Sequence, residues 1–360
     1  MSFLITVMSL IILMSSLCFA EPYLAAREGL RCSSCHLNQT GGGQRNRMGA
    51  GYGALDLPWQ KVDMTQKKIP HYWSFLDDLI AIGGDFRVLN RSIFEEDNHR
   101  NTFQTEKSNV YLSLNLIPDM LSFYLDESVA PGGAQSREIF GLFRWSDKGW
   151  LKAGKFVLPY GLRLEDDGAF VRAITGFTFS SPDVGAEVGF QPGQWSFIAS
   201  VTNGNPGEVD TNTSKQVVGS ASFTADRYRV GVSGSHNSTD SGDKNSAGLW
   251  GGFRLGDVVL LGEADWIRDG SDPLADRSQW VSYAEIDYLI ADGWNLKAAY
   301  EYFDPDRDID DDERDRVIVG LEPFLYPFVQ FQIFYRFNQG IAENEPQNAD
   351  ELTFRLHLYF

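Results

Sequence analysis

The sequence predicts an all-β fold: a transmembrane antiparallel β-barrel of about 16 strands, preceded by a short helical or irregular plug. Three observations predict it. From residue 79 onward, apolar and polar residues alternate in successive segments of roughly ten residues, the length of a tilted membrane-crossing strand. Tight turns and long polar connections alternate between those segments. The chain closes on an alternating stretch that ends in Phe360.

The alternation is clear at several places. Val110, Leu112, Leu114 and Leu116 fall on one side of a strand, and Asn109, Tyr111, Ser113 and Asn115 on the other. Leu121, Phe123 and Leu125 alternate with Ser122, Tyr124 and Asp126. Ile286 and Tyr288 alternate with Glu285 and Asp287, and Leu296, Ala298 and Tyr300 with Lys297 and Glu301. A period of two means strands with one apolar and one polar face. In lipid every backbone N–H and C=O must be paired, so such strands cross only in a closed sheet.

The connections separate a barrel from a soluble sandwich. Ile117-Pro118-Asp119, Ser146 to Gly149, Gln191-Pro192-Gly193, Ala225-Asp226, Leu255-Gly256-Asp257 and Ala291-Asp292-Gly293 are tight. Between them lie polar stretches: Glu95 to Thr105, Asn203 to Ser214, Asn237 to Asn245, Asp269 to Arg277, Asp304 to Asp315 and Gln339 to Asp350. Short turns at one end and long loops at the other are the outer-membrane pattern; Greek-key links would not alternate in this way. Strand centres fall near residues 85, 111, 124, 141, 153, 186, 198, 220, 231, 250, 262, 285, 298, 318, 332 and 355. Residues 158–182 form a long link, either an inward-folded loop or another hairpin. Trp145, Trp150, Trp195, Trp266, Trp280, Trp294, Tyr326 and Phe328 are expected at the membrane interfaces.

Three segments follow: a signal peptide over 1–20, a plug over 21–78, and the barrel over 79–360. The leader reads from an apolar run, Phe3 to Leu17, before Cys18-Phe19-Ala20. The net charge of −18 argues against a nucleic-acid partner, because phosphate binding needs basic patches. Turning the apolar faces to lipid sends Glu263, Asp265, Glu285, Asp287 and Glu301 inward, with Arg229 and Arg254 on the two strands before them. These residues guide ions, hold the plug, or simply give the pore ordinary polarity. The carboxylates between Asp304 and Glu313 lack calcium-loop spacing and read as a solvated loop.

The chemistry lies in Cys32-Ser33-Ser34-Cys35-His36, the attachment motif for one covalent haem c. Two thiols at this spacing add to the two porphyrin vinyl groups, and the adjacent His36 becomes the proximal iron ligand. A thioredoxin-type dithiol would open a helix in a βαβ setting, and a zinc site of this kind would need a second Cys pair; residues 21–360 offer neither. The Gly41-Gly42-Gly43 run lets backbone pass close to a flat ring, and Arg45, Asn46 and Arg47 are candidate partners for the propionates. For the sixth iron position the candidates are Met48, Met64, His71 or water; Met48, beside Gly49, is nearest in sequence. Residues 21–78 are too few for a self-sufficient cytochrome core, so barrel side chains are expected to complete the pocket.

With this motif ahead of a barrel, the chain resembles the fused monohaem cytochrome–porins of the bacterial outer membrane. Cys32, Cys35 and His36 carry the resemblance residue by residue. Gly154-Lys155-Phe156 with Pro159-Tyr160-Gly161 also resembles a phrase of phosphate-type porins. The first resemblance implies electron transfer of the iron(II)-oxidising kind, between an extracellular donor or acceptor, iron among them, and a periplasmic carrier such as a soluble cytochrome c. It further implies an outer-membrane location, lipid as a partner, and a haem on the periplasmic side or in the lumen. Two alternatives are a diffusion porin with a structural or sensory haem plug, and a barrel that docks a periplasmic cytochrome.

Overall fold

The computed structural model describes residues 21–360 apart from 68, 96–98, 207–209, 211, 240–241, 272–275 and 342–344. The expected signal peptide lies outside the described residues. Alternating side chains and short turns fold the chain into a closed barrel. A short strand β1 (Trp73–Phe75) leads into β2 (Ile80–Phe94), β3 (His99–Ile117), β4 (Leu121–Ala130), β5 (Gln135–Arg144) and β6 (Gly149–Phe156). After a long inner loop come β7 (Asp183–Phe190), β8 (Trp195–Thr202), β9 (Gln216–Thr224), β10 (Tyr228–Thr239), β11 (Gly242–Leu255) and β12 (Val258–Asp269). The wall ends with β13 (Arg277–Ala291), β14 (Trp294–Asp304), β15 (Arg314–Tyr326), β16 (Val329–Gln339) and β17 (Asp350–Tyr359).

Each strand from β2 to β17 pairs antiparallel with the next, and β17 returns to β2 from Asp350↔Phe94 to Tyr359↔Asp85. Sixteen strands therefore close the wall, and every predicted strand centre falls inside one of them. β1 covers the end of the β2 edge that β17 leaves, pairing Trp73↔Ile82 to Phe75↔Ile80. Phe360 and Gly84 exchange two backbone hydrogen bonds of 3.1 Å at that junction. Among the described residues no helix is long and apolar enough to cross a membrane; the chain crosses with strands.

Exposure is inverted relative to a water-soluble fold. Leu249, Ile286, Phe197 and Val232 face outward and are exposed, while Glu263, Asp265, Glu285, Asp287 and Glu301 are buried inside. An apolar outer wall of this kind is solvated by lipid. Trp145, Trp195, Trp266, Trp280 and Tyr326 stand on it. Trp150 does not: it turns into the lumen and donates to Glu187 at 3.0 Å.

Two stretches expected as long loops are hairpins of protruding strands. β3 begins at His99, so most of Glu95 to Thr105 is strand. β10 runs to Thr239 and β11 starts at Gly242, which makes most of Asn237 to Asn245 strand as well. Their polar composition marks strand that has left the lipid. Residues 157–182 resolve to the first of the two expectations: they fold inward, with one short helix, α4 (Phe170–Ala173). The plug supplies α1 (Pro22–Glu28), α2 (Arg47–Leu55) and α3 (Met64–Lys67).

Candidate functional site

α1 starts with Pro22 in its first turn and stops at Gly29, whose left-handed backbone (φ 66°) suits glycine. A Cβ there would also come within 2.8 Å of Asp226 in a short turn of the wall. Buried Tyr23 and Leu24 pack against the wall, and Arg27 donates to Asn295 at 2.8 Å. The plug thus lies at the short-turn end of the lumen.

A 3-10 turn over Cys32–Ser34 follows, and the Cys35 and His36 amides both donate to the Cys32 carbonyl, at 3.1 and 3.0 Å. Cys32, Cys35 and His36 therefore sit three and four residues apart on one turn; Cys32 lines a cavity with Arg31, Gln39 and Thr40, while Cys35 is fully buried. Both cysteines are free thiols, Cys32 half-buried and Cys35 buried. The chain then doubles back: Leu37 donates to Gln44, His36 bridges Arg45, and Asn46 donates to Cys35. Gly42 at the tip has φ 80°, and a Cβ there would meet the Phe179 ring at 2.3 Å. Asn46 caps α2 by accepting from the Gly49 amide at 2.9 Å and also donates to Ser34 at 2.9 Å. It is committed to structure rather than to a propionate.

A buried polar node clamps this loop to the wall. Asn38 donates to Glu138 at 2.9 Å and accepts from Lys152 at 2.9 Å. Lys152 pairs with Glu187 at 2.8 Å, both side chains being fully buried. Glu138 also accepts from the Val157 amide, so plug, wall and inner loop meet here. The sequence reading missed both Lys152 and its partners; the inward parity of Lys152 on β6 was the one signal available.

His36 is buried, and neither ring nitrogen has a hydrogen-bond partner among the described residues; the Gly42 and Gly43 backbone is close but outside hydrogen-bond geometry. Burial, helped by the Arg45 charge, lowers its pKa to about 3, so the imidazole is neutral, the form that ligates metals. Burial also pushes the Cys35 thiol up. Beside His36 a cavity of about 770 Å³ opens among Ser33, Ser34, Arg47, Tyr72 and Asp78 and the short turns at Asp119, Asp147 and Gln191. Arg47 pairs with Asp78 at 2.7 Å and lies over the Tyr72 ring. Arg45 turns away from this cavity and stacks on Tyr359 at 4.2 Å.

The candidates for the sixth position are spread apart. Met48 is half-buried on α2, Met64 is buried on α3, and His71 lies against Gly51; none of them lines the cavity beside His36. Among the described residues no three His, Cys, Asp or Glu side chains gather to hold a bare metal ion. A porphyrin brings its own four nitrogens, so a haem here would need only an axial His36 from the chain.

The buried carboxylates of the wall hold the lumen's contents. Glu263 accepts from the Leu162 amide at 2.8 Å, Asp265 from the Tyr160 hydroxyl at 2.8 Å, and Glu301 from the Phe170 amide at 3.0 Å. Gly161 (φ 60°) lies so close that a Cβ would meet Glu263 at 1.8 Å. Lys297 joins Glu285 at 3.1 Å beneath the Tyr23 ring. Arg254 donates to the Arg27 carbonyl. Of the roles read for these residues, holding the plug is what the Arg254 and Lys297 contacts show, and Glu263, Asp265 and Glu301 hold the inner loop as well.

Fold, lipid-facing belt and lumen define the class: a porin-like outer-membrane β-barrel. No family model and no curated protein matches the chain. It is similar in structure to OmpTΔL8, a loop L8 deletion mutant of the outer-membrane protein OmpT of Vibrio cholerae, at TM-score 0.62 and 14% identity over 78% of this chain and 99% of that one. An anion-selective porin from Comamonas acidovorans matches at TM-score 0.61 and 11% identity, over 78% and 99% of the two chains. Salmonella typhi OmpF, in complex with daunomycin, matches at 0.61 and 13%, over 79% and 99%. At these identities the likeness is one of fold.

Proposed function

We propose that this barrel carries a single covalent haem c on its plug and passes electrons between a periplasmic carrier and an extracellular donor or acceptor. One observation carries the reading. Cys32, Cys35 and His36 share one helical turn, and the buried imidazole, with two unpartnered nitrogens, lies beside a cavity at the short-turn end. Cys32 and Cys35 would hold the porphyrin by thioethers and His36 would be its proximal ligand; Arg47 and Tyr72 line the space nearby. The iron supplies one-electron chemistry, and the barrel supplies position and insulation.

The short-turn end is the periplasmic end of such barrels, so a periplasmic carrier such as a soluble cytochrome c meets the site directly. The hydrocarbon layer is about 30 Å thick. An extracellular partner, with iron as the leading candidate, must therefore reach into the lumen from the long-loop side. A diffusion porin with a haem plug is less well supported, because plug and inner loop fill the lumen. The cavities beside Lys297 and beside Cys32 hold only about 60 Å³ each, room for a small ion but not for a continuous solute path.

The test is stopped-flow mixing of purified, membrane-reconstituted protein with iron(II) outside or a reduced cytochrome c at the short-turn end. Reduction of a haem spectrum by either partner supports the proposal. A haem that neither partner reduces or oxidises would remove the electron-carrier role.

A further inference from the structure

The structure assigns a second site to the lumen: we propose that Arg31, Arg163 and Arg229 form a pocket for a small free oxyanion, such as inorganic phosphate or a short carboxylate. One arginine comes from the plug, one from the inner loop and one from the wall, and all three line a cavity of about 60 Å³ next to Cys32. No Asp or Glu lines it. In a chain with 49 acidic and 31 basic residues, such a lining runs against the composition.

Two of the three arginines, Arg163 and Arg229, carry a buried nitrogen that points to a ligand, while Arg31 donates to the Gly193 carbonyl at the rim. Arg163 is only 7% exposed; it donates to Leu158 at 2.8 Å and weakly to Gly41, and its Nε has no partner. Arg229 lies over Trp250 at 5.0 Å, and its buried Nε is also without a partner. The carboxylates within electrostatic reach of Arg163 are engaged elsewhere: Glu187 with Lys152 and Trp150, Glu138 with Asn38 and Val157, Asp167 with Phe179 and Ser180. A buried guanidinium with an unmade hydrogen bond is costly, and its planar fork matches an oxyanion. Hydroxyls of Ser222 and Thr224 add donors from the wall.

The size excludes a nucleotide or a sugar and admits a phosphate-sized group. Porphyrin carboxylates are excluded on chemical grounds, because they lie on the ring edge opposite the vinyl carbons that Cys32 and Cys35 would bond. The ligand is therefore a free ion, and the inference does not depend on haem.

The experiment is calorimetric titration of the full-length protein in detergent with inorganic phosphate, at constant ionic strength set by chloride, with acetate as a second arm. Saturable binding of one phosphate is expected, weakened about tenfold or more by Arg163→Gln and by Arg229→Gln, the loss of one charge-assisted hydrogen bond each. Because Arg163 also ties the inner loop, Arg163→Lys and Arg229→Gln serve as variants that keep the fold. Acetate competing with phosphate would mark a general oxyanion site, and phosphate alone a tetrahedral one. Absence of saturable uptake of either ion by the unaltered protein, or unaltered affinity in Arg229→Gln, would overturn the site.

Discussion

Asn38 has one side-chain amide and uses both ends of it. The nitrogen serves Glu138, while the oxygen serves Lys152 and the Thr40 hydroxyl. Replacing it by Ala leaves buried charges short of a partner, at a cost of about 1–3 kcal/mol. The expected outcome is a lower urea midpoint for Asn38→Ala in detergent. Lys152→Met exposes the opposite problem. Glu187 would be left buried and unpaired, at about 3–5 kcal/mol, while the double change Lys152→Met with Glu187→Leu should recover much of the loss. Recovery in the urea midpoint separates a pairing effect from a packing effect. At this scale legibility was uneven. Cys32, Cys35 and His36 stood out as a candidate trio because their spacing is that of the haem c attachment motif. The Asn38–Lys152 contact was not, because it joins residues 114 apart in sequence and a lysine on an inward strand face reads the same beside water or beside a buried amide.

Among the elements, strands were readable, and the inner loop was legible only as one of two alternatives. Each strand carries its own period, and lipid enforces it, so Ile286 and Leu296 could be turned outward from sequence alone. A charge on this outer face should be costly: Leu249→Arg is expected to destabilise by about 2–4 kcal/mol near the midplane, measurable as a lower unfolding midpoint in lipid vesicles. Trp150 escaped the reading because it was assigned by its place near a strand end, when its parity with Lys152 turned it inward. Residues 157–182 carry no period, because their backbone is satisfied by wall carboxylates rather than by a ladder. Gly161 is the sharpest test of that docking. Gly161→Ala would force a Cβ into Glu263 and strain a left-handed backbone, at about 1–3 kcal/mol. The expected sign is a lower temperature for the electrophoretic shift from folded to unfolded barrel.

Across the whole molecule, sixteen strands make a wall whose polar interior is occupied from two directions, by the plug from the short-turn end and by the inner loop from between β6 and β7. The combination explains how a strongly acidic lumen is held: its carboxylates accept from backbone amides, Tyr160 and Lys297. Such a barrel should pass little current in planar bilayers, and removal of residues 21–72 should raise conductance severalfold. The central claim is that the plug carries covalent haem, and intact mass spectrometry of the mature protein purified from outer membranes tests it most directly. The account predicts the mass of the mature chain plus one haem, falling to the bare chain when Cys32 and Cys35 are both replaced by Ala. A bare-chain mass for the unaltered protein, from cells competent to make c-type cytochromes, would contradict it.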